Sequence, residues 1–90
     1  MIEIDGENYF TASEVAKIVG VTDAKGKPLG RNKFINWMKV QGILMENNMP
    51  YQFHINMGLA RLYRVPRNGR VYYITVFSQR GIDYILNKKS

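Results

Sequence analysis

Residues 30–44, Gly30-Arg31-Asn32-Lys33-Phe34-Ile35-Asn36-Trp37-Met38-Lys39-Val40-Gln41-Gly42-Ile43-Leu44, contain one short helix with a defined stop. At helical pitch Phe34, Ile35, Trp37 and Met38 fall on an arc of roughly 160°, and Asn32, Lys33, Asn36, Lys39 and Val40 share the other side. One face is therefore core and the other carries amides and ammonium groups. The pattern predicts a helix over 32–41, with Asn32 as N-cap, Lys39 near the negative end of the helix dipole and Gly42 as the C′ glycine. Trp37 is expected in the core.

Working outward, Thr11-Ala12-Ser13-Glu14 fits a capping box, in which the Thr hydroxyl accepts from the N3 amide and the Glu carboxylate from the cap amide. A first helix is expected from there to Gly20, with Ala12, Val15, Ala16, Ile18 and Val19 on its apolar face. Before it, residues 2–5 and 9–11 flank Gly6-Glu7-Asn8 and suggest a small hairpin. The turn-rich segment Asp23–Gly30 separates the two helices, a longer connection than the 3–4 residues of a standard helix-turn-helix. After Leu44 comes a turn at Asn47-Asn48-Met49-Pro50, then the alternating Tyr51, Phe53 and Ile55, then a break at Gly58. Met38, Met45, Met49 and Met57 read as adaptable core filler.

The clearest local signal is residues 59–76, LARLYRVPRNGRVYYITV. Asn68-Gly69 calls for a type I′ hairpin turn, whose two central residues both need positive φ. That turn sets Arg67 opposite Arg70, Val65 opposite Tyr72, Tyr63 opposite Ile74 and Arg61 near Val76, and suggests that the row of Tyr63, Val65, Tyr72 and Ile74 faces inward. Arginines facing each other at the tip repel unless an anion lies between them; the alternative is a charged edge that blocks aggregation. Ser78 is placed to cap a last helix running to Asn87, with Ile82, Ile85 and Leu86 inward.

Ninety residues suit one small domain spanning 1–90, and 46% hydrophobic content is enough for its core. There is no cysteine, hence no disulfide or thiolate metal site, and the single His54 is expected as a packing residue. No apolar run of about 18 residues occurs, so a membrane role is not expected and the protein is read as cytoplasmic. The inventory also disfavours an enzyme: there is no Ser-His or Cys-His pair, no phosphate-binding glycine motif and no paired carboxylates on a helix face. No cofactor is expected.

The net charge of +6 is unevenly distributed. Glu3, Asp5, Glu7, Glu14 and Asp23 face only Lys17 in the first 24 residues, whereas between Glu46 and Asp83 there is no acid and there are five arginines, at 61, 64, 67, 70 and 80. Such a field favours a polyanion, with an acidic membrane surface or an acidic protein as lesser options. A second helix followed by a basic hairpin is the plan of a winged helix-turn-helix: an α+β domain of three helices with a β-hairpin wing, the helix in the major groove and the wing on the backbone.

Residues 30–62, followed by Ile74-Thr75-Val76-Phe77-Ser78-Gln79-Arg80-Gly81-Ile82-Asp83-Tyr84-Ile85, resemble the KilA C-terminal-type domain at the end of phage antirepressors. Gly30-Arg31-Asn32, Gly42-Ile43-Leu44, Asn48-Met49-Pro50-Tyr51-Gln52, Gly58, and Thr75 through Gly81 to Tyr84-Ile85 carry most of the likeness. Ser78-Gln79-Arg80-Gly81 stands where that family usually has Thr-Pro-Lys-Gly, and the N-terminal domain of full antirepressors is not in the sequence. The resemblance implies a winged-helix-like, DNA-binding regulatory domain of a phage or prophage, as a fragment or a stand-alone protein. Candidate contacts to double-stranded DNA are Arg31, Asn32, Lys33, Asn36 and Lys39 on the helix and Arg61, Arg64, Arg67 and Arg70 on the wing, with Asn36 suited to adenine. The other reading is a protein-interaction module that inhibits or displaces a host or phage factor through the Tyr- and Arg-rich hairpin.

Overall fold

In a computed structural model, which describes residues 1–89, the capping box forms as the sequence predicts. Thr11 Oγ1 accepts from Glu14 N at 3.3 Å and a Glu14 carboxylate oxygen accepts from Thr11 N at 3.0 Å, which starts helix α1 at Ala12–Val19. Ahead of it, strands β1 (Ile2–Ile4) and β2 (Glu7–Thr11) make the expected hairpin, but its turn is Asp5-Gly6 rather than Gly6-Glu7-Asn8. Both turn residues take positive φ, 52° and 79°, so two residues suffice and Glu7 enters the strand opposite Ile4.

The central helix α2 spans Arg31–Val40. Its N-cap is Gly30, not Asn32; Asn32 lies in the first turn, where its Oδ1 accepts from Arg31 Nη1 at 3.2 Å. Gly42 is the stop, at φ +75°, with Ile43 N donating to Met38 O at 2.9 Å. Phe34, Ile35 and Met38 are buried as predicted. Trp37 is not at the centre: it is half-buried and stacks on Phe34, ring centroids 5.7 Å apart and 13° from parallel. On α1, Ile18 likewise turns out half-exposed, and of the four methionines only Met38 is fully buried.

The long α1–α2 connection is itself ordered. Thr22 bridges Pro28, Leu29 N donates to Val21 O at 3.0 Å, and Asp23 Oδ1 accepts from the amides of Lys25 and Lys27. A similar bridge of Leu44 to Pro50 closes the segment after α2, where Asn47 Oδ1 accepts from Met49 N at 3.1 Å.

Where Tyr51, Phe53 and Ile55 alternate, the chain makes a one-turn helix α3, Gln52–Asn56. Pro50 ends the preceding bridge and Tyr51 is the extended N-cap, so the helix begins at Gln52 and turns His54 inward while Phe53 faces solvent. Strand β3 (Ala60–Arg67) and strand β4 (Arg70–Ser78) follow, in the register that Asn68-Gly69 dictates: Arg67 opposite Arg70, Val65 opposite Tyr72, Tyr63 opposite Ile74, Arg61 opposite Val76. The turn residues have φ of 49° and 74°. Helix α4, Gln79–Lys89, follows, with Ile82 and Ile85 buried and Leu86 36% exposed.

These elements form an antiparallel four-stranded sheet, order β1-β2-β4-β3, in which β2 pairs only with Val76, Phe77 and Ser78 at the end of β4. The row Phe10, Phe77 and Ala60 packs with Val15, Phe34, Met38, Ile82 and Ile85 from α1, α2 and α4. At the hairpin base both faces are buried, Ala60, Thr75 and Phe77 on one and Val76 and Ser78 on the other; farther along that second face, in the expected inward row, Tyr63, Val65 and Ile74 are half-buried and Tyr72 is half-exposed. The expected inward row is thus partly covered rather than core, and its exposure rises toward the tip. The α+β class holds; among the described residues there are four helices rather than three, and the β3–β4 hairpin is part of a curled four-stranded sheet.

Ser78, fully buried, joins sheet to helix. Its hydroxyl donates to Gly58 O at 2.6 Å and accepts from Gly81 N at 3.1 Å, and its own amide donates to Leu59 O at 3.0 Å. Gly81 lies so close to Leu59 that a Cβ there would sit 2.0 Å from the Leu59 carbonyl oxygen. Gly81→Ala should therefore force α4 off the strand and destabilise the fold by about 1–3 kcal/mol, a drop of roughly 5–20 °C in thermal melting.

His54, 5% exposed, is enclosed by the rings of Tyr51, Phe53 and Tyr84 at 5.4–6.0 Å, and its Nδ1 has no hydrogen-bond partner. Burial, and secondarily the Lys88 ammonium, hold its pKa below the ordinary imidazole value. The unfolded chain takes up a proton at a pH where the native state resists it, so this stability is complete above about pH 6.5 and is lost as the pH falls below it. Melting from about pH 7 to about pH 5.5 should show a smaller fall for His54→Phe than for the parent.

Candidate nucleic-acid interface

The β3–β4 hairpin is exposed around its tip, from Pro66 to Tyr73. Arg64, Arg67 and Arg70 are exposed, and the side-chain ion pair found among the described residues involves none of them. That pair is Arg61 with Asp5, 3.7 Å apart, and the Arg61 guanidinium also lies 5.6 Å from the Tyr9 ring centroid. Arg61 thus ties β3 to the β1–β2 turn, a different task from that of the three arginines nearer the tip. Opposed in register with no carboxylate between them, Arg67 and Arg70 concentrate positive charge at the end of the hairpin.

On α2 the exposed residues are Arg31, Asn32, Lys33, Asn36 and Val40, with Lys39 half-buried beside them. Phe34, Ile35 and Met38 fix the helix rotation, so the amide and ammonium groups keep one outward stripe. Arg31 and Arg67 are brought together at one place. They line a cleft of about 810 Å³ between the start of α2, the turn after α2 and the upper part of β4. Lys33, Asn36, Lys39, Arg61, Arg64 and Arg70 lie outside that cleft.

Sequence reasoning missed several of its walls. Because β2 ends opposite Val76, the edge of β4 from Arg70 to Thr75 is free on the side away from β3, and Tyr72 and Tyr73 both reach the cleft from it. Asn47, Asn48 and Asn68 contribute amides, and Thr75 Oγ1 donates to Asn48 O at 2.7 Å, which fixes the 44–50 turn against the strand. The asparagines read in sequence only as turn formers. Their meeting depends on the pairing of β2 with β4, which no local pattern announces.

Among the described residues no group of His, Cys, Asp and Glu is arranged to hold a metal ion, and no helix is long and apolar enough to cross a membrane. No curated protein and no solved structure matches the chain. The family model of the phage antirepressor protein KilAC domain matches residues 4–90, nearly the whole sequence, and the chain belongs to that family of phage regulatory domains.

Proposed function

We propose that this domain binds duplex DNA in the bacterial cytoplasm as a winged helix-turn-helix would, with α2 in the major groove and the β3–β4 hairpin along the phosphate backbone. One observation carries the reading: Arg64, Arg67 and Arg70 stand exposed on the β3–β4 hairpin, with no carboxylate paired to them. Such a surface is costly to keep unless an anion neutralises it, and regularly spaced anions are what a phosphate backbone offers. The outward stripe of α2 supplies Arg31, Asn32, Lys33, Asn36 and Lys39. Asn36, at mid-helix and exposed, can make the paired contact to adenine N6 and N7. Membership of an antirepressor family agrees with a regulatory role rather than a catalytic one.

Replacing Asn36 by Ala should lower affinity for the specific site by about 1–3 kcal/mol and leave random duplex almost unaffected. An equal loss on both would remove Asn36 as a base reader. Replacing Arg64, Arg67 and Arg70 together by Ala should flatten the slope of log affinity against log salt by roughly 2–3 and weaken all duplexes alike. A parent-like slope in the triple variant would sink the phosphate clamp and favour a regulatory protein as the hairpin's partner.

A further inference from the structure

We propose that the cleft between the start of α2 and the open edge of β4 holds one unstacked nucleotide, its base against Tyr72 or Tyr73 and its phosphate between Arg31 and Arg67. The inference rests on the nucleic-acid reading above and extends it from paired to unpaired strands, since a base that enters this cleft is not stacked in a duplex.

The volume of about 810 Å³ falls within the roughly 300–1,000 Å³ of ligand sites. Consecutive strand residues ordinarily face opposite sides, yet Tyr72 and Tyr73 both line the cleft because it runs along the strand's unpaired edge. They are 48% and 54% exposed, so their ring faces are accessible to a planar partner. In a duplex each base is covered above and below by its neighbours; only an unstacked base offers a face to tyrosine.

Charge and hydrogen bonding agree with this. Arg31 and Arg67 both line the cleft, and none of the lining residues is acidic, so an anion there meets attraction and no repulsion. Asn47 uses its Oδ1 on the Met49 amide, which leaves its NH₂ to donate, and Asn68 at the turn carries both a donor and an acceptor for a base edge. Ile35, Leu44 and Phe77 form an apolar floor that suits the flat face of a base better than water.

The test is fluorescence anisotropy of the full chain with two labelled probes, a mixed-sequence single-stranded DNA of about 12 nucleotides and the same sequence as a duplex. Unlabelled deoxyadenosine monophosphate serves as a competitor. The single strand should bind, and Tyr72→Leu with Tyr73→Leu should weaken it roughly 5- to 100-fold. Tyr72→Phe with Tyr73→Phe, which keeps both rings, should retain the parent affinity, and duplex binding should change in neither variant. Competition by the monophosphate identifies a free nucleotide as a ligand in its own right; binding of the strand without such competition identifies the strand. Should the leucine variant lose its melting transition, Arg31→Gln decides, and it must weaken the single strand while melting as the parent does. No single-strand binding, or binding indifferent to a folded leucine variant, overturns the proposal. In that event duplex binding leaves the broader reading standing, and absence of binding to either probe overturns both.

Discussion

The hydroxyl of Ser78 holds three parts of this molecule in register. It donates to the carbonyl of Gly58, where the chain leaves α3 for β3, and accepts from the amide of Gly81, inside the first turn of α4, while its own residue ends β4 opposite Tyr9 of β2. A buried hydroxyl with both its donor and acceptor capacities satisfied is worth far more than its small volume suggests, because any rearrangement would strand three polar groups without water. The same contact explains the departure from the expected Thr-Pro-Lys-Gly: serine supplies the hydroxyl that threonine would. Gln79 occupies the first helical position, where proline is tolerated but not required. Everything that faces outward depends on this joint, since it sets the angle at which β3 and β4 leave the helical layer.

What was legible in the sequence was what a few neighbouring residues decide among themselves. Thr11 and Glu14 specify a helix start by hydrogen bonds three residues apart, and Asn68-Gly69 specifies a register because few residue pairs accept two positive φ angles. The same reasoning misplaced features settled by distant parts of the chain. Asn32 is a better intrinsic cap than Gly30, but the approach from Leu29, pinned to Val21, starts the helix earlier. Trp37 packs against the margin of the core, whereas its neighbour Phe34 is fully buried within it. Alternation at Tyr51, Phe53 and Ile55 lost to a single helical turn that buries His54 against Tyr84.

The candidate interface divides in the same way. Its charge was plain in the sequence, since an acid-free run with regularly spaced arginines needs no fold to be noticed. Its shape was not. Arg31 and Arg67 are far apart along the chain and share a cleft because β2 takes the last three residues of β4 and leaves the rest of that edge bare. Arg61, one of four arginines alike in sequence, separates from the others when Asp5 and Tyr9 arrive beneath it.

The pairing of β2 with β4 also bears on how the chain reaches this state. Each hairpin closes through two residues and can zip from local contacts alone, whereas Tyr9 meets Ser78 only when nearly the whole chain has looped back on itself. The closing of that loop is the entropically demanding event. Until it closes, β4 is bare along its entire outer edge, exposed to strand exchange with other unfolded copies. Like charge on the arginines of β3 and β4 would oppose such exchange.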